Sequence, residues 1–231
     1  AIDNLRLGIG GATIALAGRI TPALSLKIAV GNVTPALAKP WAPDLNAAGT
    51  VALNGDLRGT LAAPEGTLHL TGRGLKAMTG SIGSLPAADI DASATLARDA
   101  AQLDAHLTAG SAVRLALSGT APLQSARPFA LRLKGNADLA MLDPLLTANG
   151  RTARGQATLD LALGGTLAAP QATGTVRLAN GSVQDFVQGT HITDLNGLIQ
   201  ADGAALRIAQ LTGHAGSGKL SVPGTIGVLQ P

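Results

Sequence analysis

The sequence has no cysteine and no tyrosine, one tryptophan and two phenylalanines, so aromatic residues make up only 1% of its 231 positions. Without Cys there is neither a disulfide framework nor a thiolate metal site. Missing thiols are compatible with an oxidising compartment. The scarcity of rings removes the platforms on which unpaired bases stack, and a net charge of +3 supplies no strongly basic surface. Nucleic acid is therefore not an expected partner. Charged residues reach only 13%, well below the usual share. Long apolar runs are missing too. The least charged stretch, 161–176, falls short of the roughly 20 residues that a spanning helix needs and is broken by Gly and Pro. No segment reads as a signal peptide.

What the chain does have is glycine, 30 residues of it, and aliphatic side chains in period-2 alternation. Alternation places every second side chain on one face of a strand. Leu24, Leu26 and Ile28 alternate with Ser25 and Lys27, and Val51 and Leu53 flank Ala52. Leu68 and Leu70 do so around His69, Val113, Leu115 and Leu117 around Arg114 and Ala116, and Leu131 and Leu133 around Arg132. Leu159, Leu161 and Leu163 continue the pattern, followed by Val176 with Leu178, Leu206 with Ile208, and Leu220 with Val222. Asn54-Gly55, Asn180-Gly181, Asn196-Gly197 and Asp202-Gly203 have turn chemistry, which predicts strands of about 6 to 9 residues between them. Helical content is expected only as one or two turns within Leu139–Thr147 and Thr34–Lys39, limited by Pro144 and Pro35. The chain therefore reads as all-β. A sheet with one aliphatic face must bury it, and without covering helices or large rings two partners remain: the sheet's own opposite half or a non-protein apolar ligand.

The chain also repeats itself. Gly59-Thr-Leu-Ala-Ala-Pro64 recurs unchanged as Gly165-Thr-Leu-Ala-Ala-Pro170. The flanks follow: Gly66-Thr-Leu-His-Leu70 matches Gly174-Thr-Val-Arg-Leu178, and Leu115-Ala-Leu-Ser-Gly119 parallels Leu220-Ser-Val-Pro-Gly224. Ile14-Ala-Leu-Ala-Gly18 is a further partial copy. The period of roughly 105 residues is several strands long, not one solenoid coil. The copies are read as 1–48 (partial), 49–154 and 155–231 (partial), and the chain is expected to be a single elongated piece of a longer array.

Motifs that carry chemistry are weak. Gly213-His-Ala-Gly-Ser-Gly218-Lys219 fits half of a phosphate-binding loop, but Leu220 stands where Ser or Thr is needed and a strand pattern follows. His69, His106, His191 and His214 are dispersed without ligand spacing. Asp89 and Asp91 share a face, yet Asn196 replaces the second in the other copy. No catalytic constellation, metal or cofactor is expected, and the protein reads as a non-enzyme. Arg114, Arg132, Lys134, Arg177 and Arg207 are expected on the solvated face.

The paired Gly-Thr-Leu-Ala-Ala-Pro hexapeptides, the run Ile192–Ile199, Asp202-Gly203, Leu206-Arg-Ile208 and the closing Gly213–Gly224 segment together resemble the TamB family of AsmA-like, bridge-type lipid transfer proteins. The resemblance implies an elongated, curved, taco-like or U-shaped β-sheet, antiparallel or mixed, with an aliphatic concave groove. It also implies a periplasmic location in a parent protein that is anchored in the inner membrane and reaches the outer one. The expected ligand is phospholipid or another acyl-chain lipid. A TamA-like outer-membrane barrel is the implied partner, through regions mostly outside this chain. On this reading the aliphatic residues above line the groove. With roughly 15 strands the sheet would extend about 70 Å. The alternative is a structural β-repeat stalk or passenger segment with a self-filled core.

Overall fold

The computed structural model describes residues 2–20, 23–38, 47–77, 85–124, 126–203, 205–222 and 224–228. The first seven strands are β1 (Ile2–Ile9), β2 (Ala12–Arg19), β3 (Leu24–Val33), β4 (Ala47–Gly59), β5 (Pro64–Ala77), β6 (Ala88–Ala97) and β7 (Ala100–Ala109). They are followed by β8 (Val113–Pro122), β9 (Ala130–Asp138), β10 (Arg151–Thr166), β11 (Ala169–Asp185), β12 (Thr190–Gly203), β13 (Ala205–Ala215), β14 (Gly218–Ser221) and β15 (Gly224–Val228). All belong to one sheet in chain order, and every pairing is antiparallel. The fold is thus an all-β, open, curved sheet that does not close into a barrel. β14 and β15 both pair with β13 and share the last place, so the sheet extends roughly 60 Å, somewhat less than the sequence suggested.

Several strands run far beyond 6 to 9 residues: β4 has 13, β10 has 16 and β11 has 17. The reason is that most of the Asn-Gly pairs are not turns, contrary to expectation. Asn54-Gly55 sits in the middle of β4, where Gly55 faces Leu68 and a Cβ would come within 2.5 Å of a Leu68 methyl. Asn180, at φ 51°, is part of a bulge in β11, and its N–H donates to Asn196 Oδ1 at 3.2 Å. Asn196-Gly197 therefore lies inside β12, and the positive φ is spent on re-aiming a continuing strand. Only Asp202-Gly203 stands at a strand end, with Gly203 at φ 67°. Ala204 lies outside the described residues.

Among the described residues helical structure is confined to connections, as the prolines demand. A 3-10 turn covers Pro35–Ala38, while Lys39 lies outside the described residues. After β9, two 3-10 turns flank the helix α1 (Asp143–Leu146), opened by Asp138 Oδ1 accepting the Ala140 N–H and ended by Gly150 at φ 67°. These turns pack on β4 and β10 and do not form a layer over the sheet.

Recurring sequence falls on recurring structure. The two identical hexapeptides form the β4–β5 and β10–β11 hairpin connections. In both, a Thr hydroxyl caps the loop: Thr60 Oγ1 accepts the Ala63 N–H at 3.0 Å and Thr166 Oγ1 the Ala169 N–H at 3.2 Å. Gly66 and Gly174 follow, at φ 136° and 122°, and in each the space of a Cβ is taken by a neighbouring carbonyl oxygen, that of Asp56 or Asp160. Only glycine permits that backbone and that approach, and a glycine kink within a strand lets a sheet curve.

Candidate functional site: an uncovered aliphatic face

Residues directly opposite one another in an antiparallel ladder share a face, so the register traces rows across the sheet. One row runs Ile14, Val30, Leu53, Leu70, Ala92, Ala105, Leu117, Leu133, Leu161, Gly174, Ala201 and Leu206, from β2 to β13 without a polar side chain. A second begins at Val33 and passes through Val51, Gly72, Ile90, Leu107, Leu115, Gly135, Leu159, Val176, Ile199 and Ile208. Leu16, Ile28, Gly55, Leu68, Ala94, Leu103, Gly119, Leu131, Leu163 and Ala172 make a third. Leu24 and Leu26 extend the same face on β3, Val113 on β8, Leu178 on β11, and Leu220 on β14 opposite Gly213. Val222 follows β14, its N–H donating to the Leu211 carbonyl at 2.9 Å, and is exposed. The aliphatic positions picked out by alternation are thus brought onto one side.

That side is sheltered, though no layer of described residues covers it. Leu24 and Val113 are buried, at 6% and 5% exposure, and most of the other aliphatic positions are half-buried while their chain neighbours are exposed. No side chain among the described residues is fully buried. In a sandwich the inner-face residues interdigitate with a second sheet across about 10 Å and vanish from the surface. Here the shelter comes from neighbouring side chains and from the bend of the sheet. Near the C-terminal end of the face, Val176, Leu178, Ile199, Ile208 and Leu211 leave a small hollow of about 70 Å³.

Sequence reasoning did not single out Leu16, Ile90, Leu103, Leu107 or Ile199. The signal was present but diluted: in β6 the residues beside Ile90 on this face are Ala92 and Ala94, too small to mark an apolar stripe.

The opposite face is polar and carries the cations expected there. Arg114 faces Asn136, Arg177 faces Thr158 and Arg207 faces Gln200 across their ladders, all exposed. Arg132 Nη2 donates to Asp160 Oδ1 at 2.9 Å and Lys134 Nζ lies 3.4 Å from Asp160 Oδ2. The Arg132 hydrogen bond leads in holding the Asp160 carboxyl below the usual carboxylate range. At the rim, Asp185 accepts Arg151 Nε at 2.8 Å and the N–H groups of Val187 and Gln188 at 3.0 and 2.9 Å. The Arg151 bond, then those backbone donors, lower its pKa against the cost of partial burial.

The weak motifs resolve into structural roles. The Gly213–Lys219 segment is the β13–β14 hairpin, with Gly216 at φ 61° in its turn and a strand where a phosphate loop needs a helix. Asp89 Oδ1 accepts the Gly74 N–H at 2.8 Å, beside the bulge in β5, and Asp91 lies 3.6 Å from Arg73. His69, His106 and His214 stand on three different strands, each beside an aspartate at 3.8, 3.3 and 3.3 Å, and His191 is on a fourth. Among the described residues no three His, Asp or Glu side chains converge. Against known proteins, no family profile, no characterised sequence and no solved structure matches this chain.

Proposed function

We propose that this protein is a lipid conduit segment: a non-enzymatic stretch of β-array that holds the acyl chains of phospholipid against its aliphatic face and lets them slide across successive strands. The observation that carries the reading is the set of rows free of polar side chains, which together run from β2 to β13, with no layer of described residues over them. Each methylene taken from water gains about 0.8 kcal/mol, so such a face has a strong drive to find hydrocarbon. Because the rows repeat strand after strand, a chain moved by one strand spacing loses little of that gain. A bilayer core of about 30 Å holds two acyl layers, so a face of roughly 60 Å accepts several chains end to end. The sequence resemblance to the TamB family supports a periplasmic location for the segment, within a parent protein anchored in the inner membrane and working with an outer-membrane barrel. A self-filled stalk would need its own side chains in the trough, and the described residues supply no fully buried one.

The test is a photoreactive residue at Leu115 or Leu161 in cells. A lipid adduct at both, cut several-fold by Leu133→Asp with the strand signal in circular dichroism retained, is the expected result. No adduct at either position ends the proposal.

A further inference from the structure

We infer that the rim between the β8–β9 loop and the β10–β11 hairpin is a lateral portal, a built slot through which a single acyl chain enters the trough from the side; the inference rests on the lipid reading above. A cavity of about 290 Å³ lies there, lined by Leu103, Pro122, Phe129, Leu131 and Leu167, with Arg127 as the charged side chain among its lining residues. Leu103 and Leu131 belong to the third aliphatic row, so the cavity is continuous with the proposed trough. Its floor has a physical origin. Between Leu103 on β7 and Leu131 on β9 the row is occupied by Gly119, at φ 137°, where a Cβ would meet the Ala130 carbonyl oxygen. The missing side chain opens a gap between strands roughly 10 Å apart, wide enough for one hydrocarbon chain between two leucines.

The loop over this gap is tied down on both sides. Phe129 N–H donates to the Gly165 carbonyl at 2.9 Å and Leu123 N–H to the Asp99 carbonyl at 2.8 Å, while Arg127 and Asp99 form an ion pair. The apolar interior with a charged pair at its border suits an amphiphile whose chain goes in and whose head stays out. The repeat supplies an internal contrast. Leu61 and Leu167 occupy the same place in identical hexapeptides and are equally exposed, at 69% and 71%. Leu167 borders this apolar cavity, whereas Leu61 is not among the lining residues of the hollow beside the β4–β5 hairpin, where Arg58, Glu65 and Arg98 stand with Leu96 and Ala97.

The chain has no native cysteine, so single-cysteine variants are unambiguous. Leu167→Cys, Leu61→Cys and, as a trough position away from the portal, Leu53→Cys are each coupled to benzophenone maleimide. The purified chain is then irradiated with alkyne-tagged palmitic acid. The expected yield at position 167 exceeds that at 61 by several-fold and falls several-fold when Gln124→Trp, at a cavity-lining residue outside the aliphatic rows, fills the slot, with the yield at 53 maintained. Equal yields at 61 and 167 would mean indiscriminate greasy contact and overturn the portal. An adduct at 53 without one at 167 overturns the portal alone and leaves the conduit standing. No adduct at any of the three overturns both. The comparison of 167 with 61 needs no interior substitution, so it holds even if the tryptophan variant misfolds.

Discussion

Several leucines of the aliphatic face have a glycine, not another large side chain, as cross-strand partner: Leu68 with Gly55, Leu131 with Gly119, Leu161 with Gly174. The pairing does two things at once. It makes room for the leucine to lie along the sheet, and at Gly119 and Gly174 it lets the backbone adopt φ 137° and 122°, which bends the strand. A methyl at Gly174 would meet the Asp160 carbonyl and force the backbone out of the positive-φ region. Gly174→Ala is therefore expected to destabilise the fold by about 1–3 kcal/mol, the usual cost of a strained backbone conformation. Urea denaturation checks it, with Gly164→Ala as the reference. Gly164 has no positive φ and its added Cβ would sit 3.5 Å from the nearest atom, an ordinary contact, so that variant should shift stability by no more than about 0.5 kcal/mol. Equal losses in the two variants would refute the kink argument.

At the scale of the element, alternation made the strands and their inward residues legible, because the period is written directly into residue type. Strand length was not legible. Asn-Gly has the same local chemistry in a hairpin turn and in a bulge, and only the partner strand decides between them; Asn180 is committed to the bulge by the Asn196 side chain 16 positions away. Small residues hid β6 in the same way, since Ala92 and Ala94 face the trough only because of their register with Leu70 and Leu68. The turn after β11 was invisible as well: it is built by Asp185, which gathers Arg151 from β10 and two N–H groups of the turn. Its carboxyl is held below the usual range, so the stability it contributes is present above the unfolded value near pH 4 and is lost as pH falls through the lower folded value. Asp185→Asn is expected to lower the melting temperature at neutral pH, with the gap to the parent protein narrowing below about pH 4. A gap that stays constant from pH 7 to pH 3 would show that the charge of Asp185 is not what holds the turn.

For the molecule as a whole, the open sheet has two borders unpaired among the described residues, β1 at one end and β14 with β15 at the other, each with a described neighbour on one side only. β1 presents Leu5, Leu7 and Ile9 at 38%, 46% and 56% exposure, a long apolar border in which Arg6 is also exposed. Unpaired backbone donors and acceptors on such a border recruit another strand, and the two borders differ, so the contact is head-to-tail and does not close on itself. The same geometry serves the proposed function, since stacking further strands on either border lengthens the aliphatic rows without changing their character. In isolation the protein is expected to self-associate with rising concentration. Leu7 lies on the trough face of the border strand through its pairing with Ile14. Leu7→Lys therefore places an inward charge where a new strand would dock, and should shift the protein towards monomer by at least several-fold in apparent affinity. Sedimentation equilibrium reads both. A protein that stays monomeric at every concentration, or an association untouched by the lysine, would mean that the borders are already blunted and that the rows stop where β1 and β14 do.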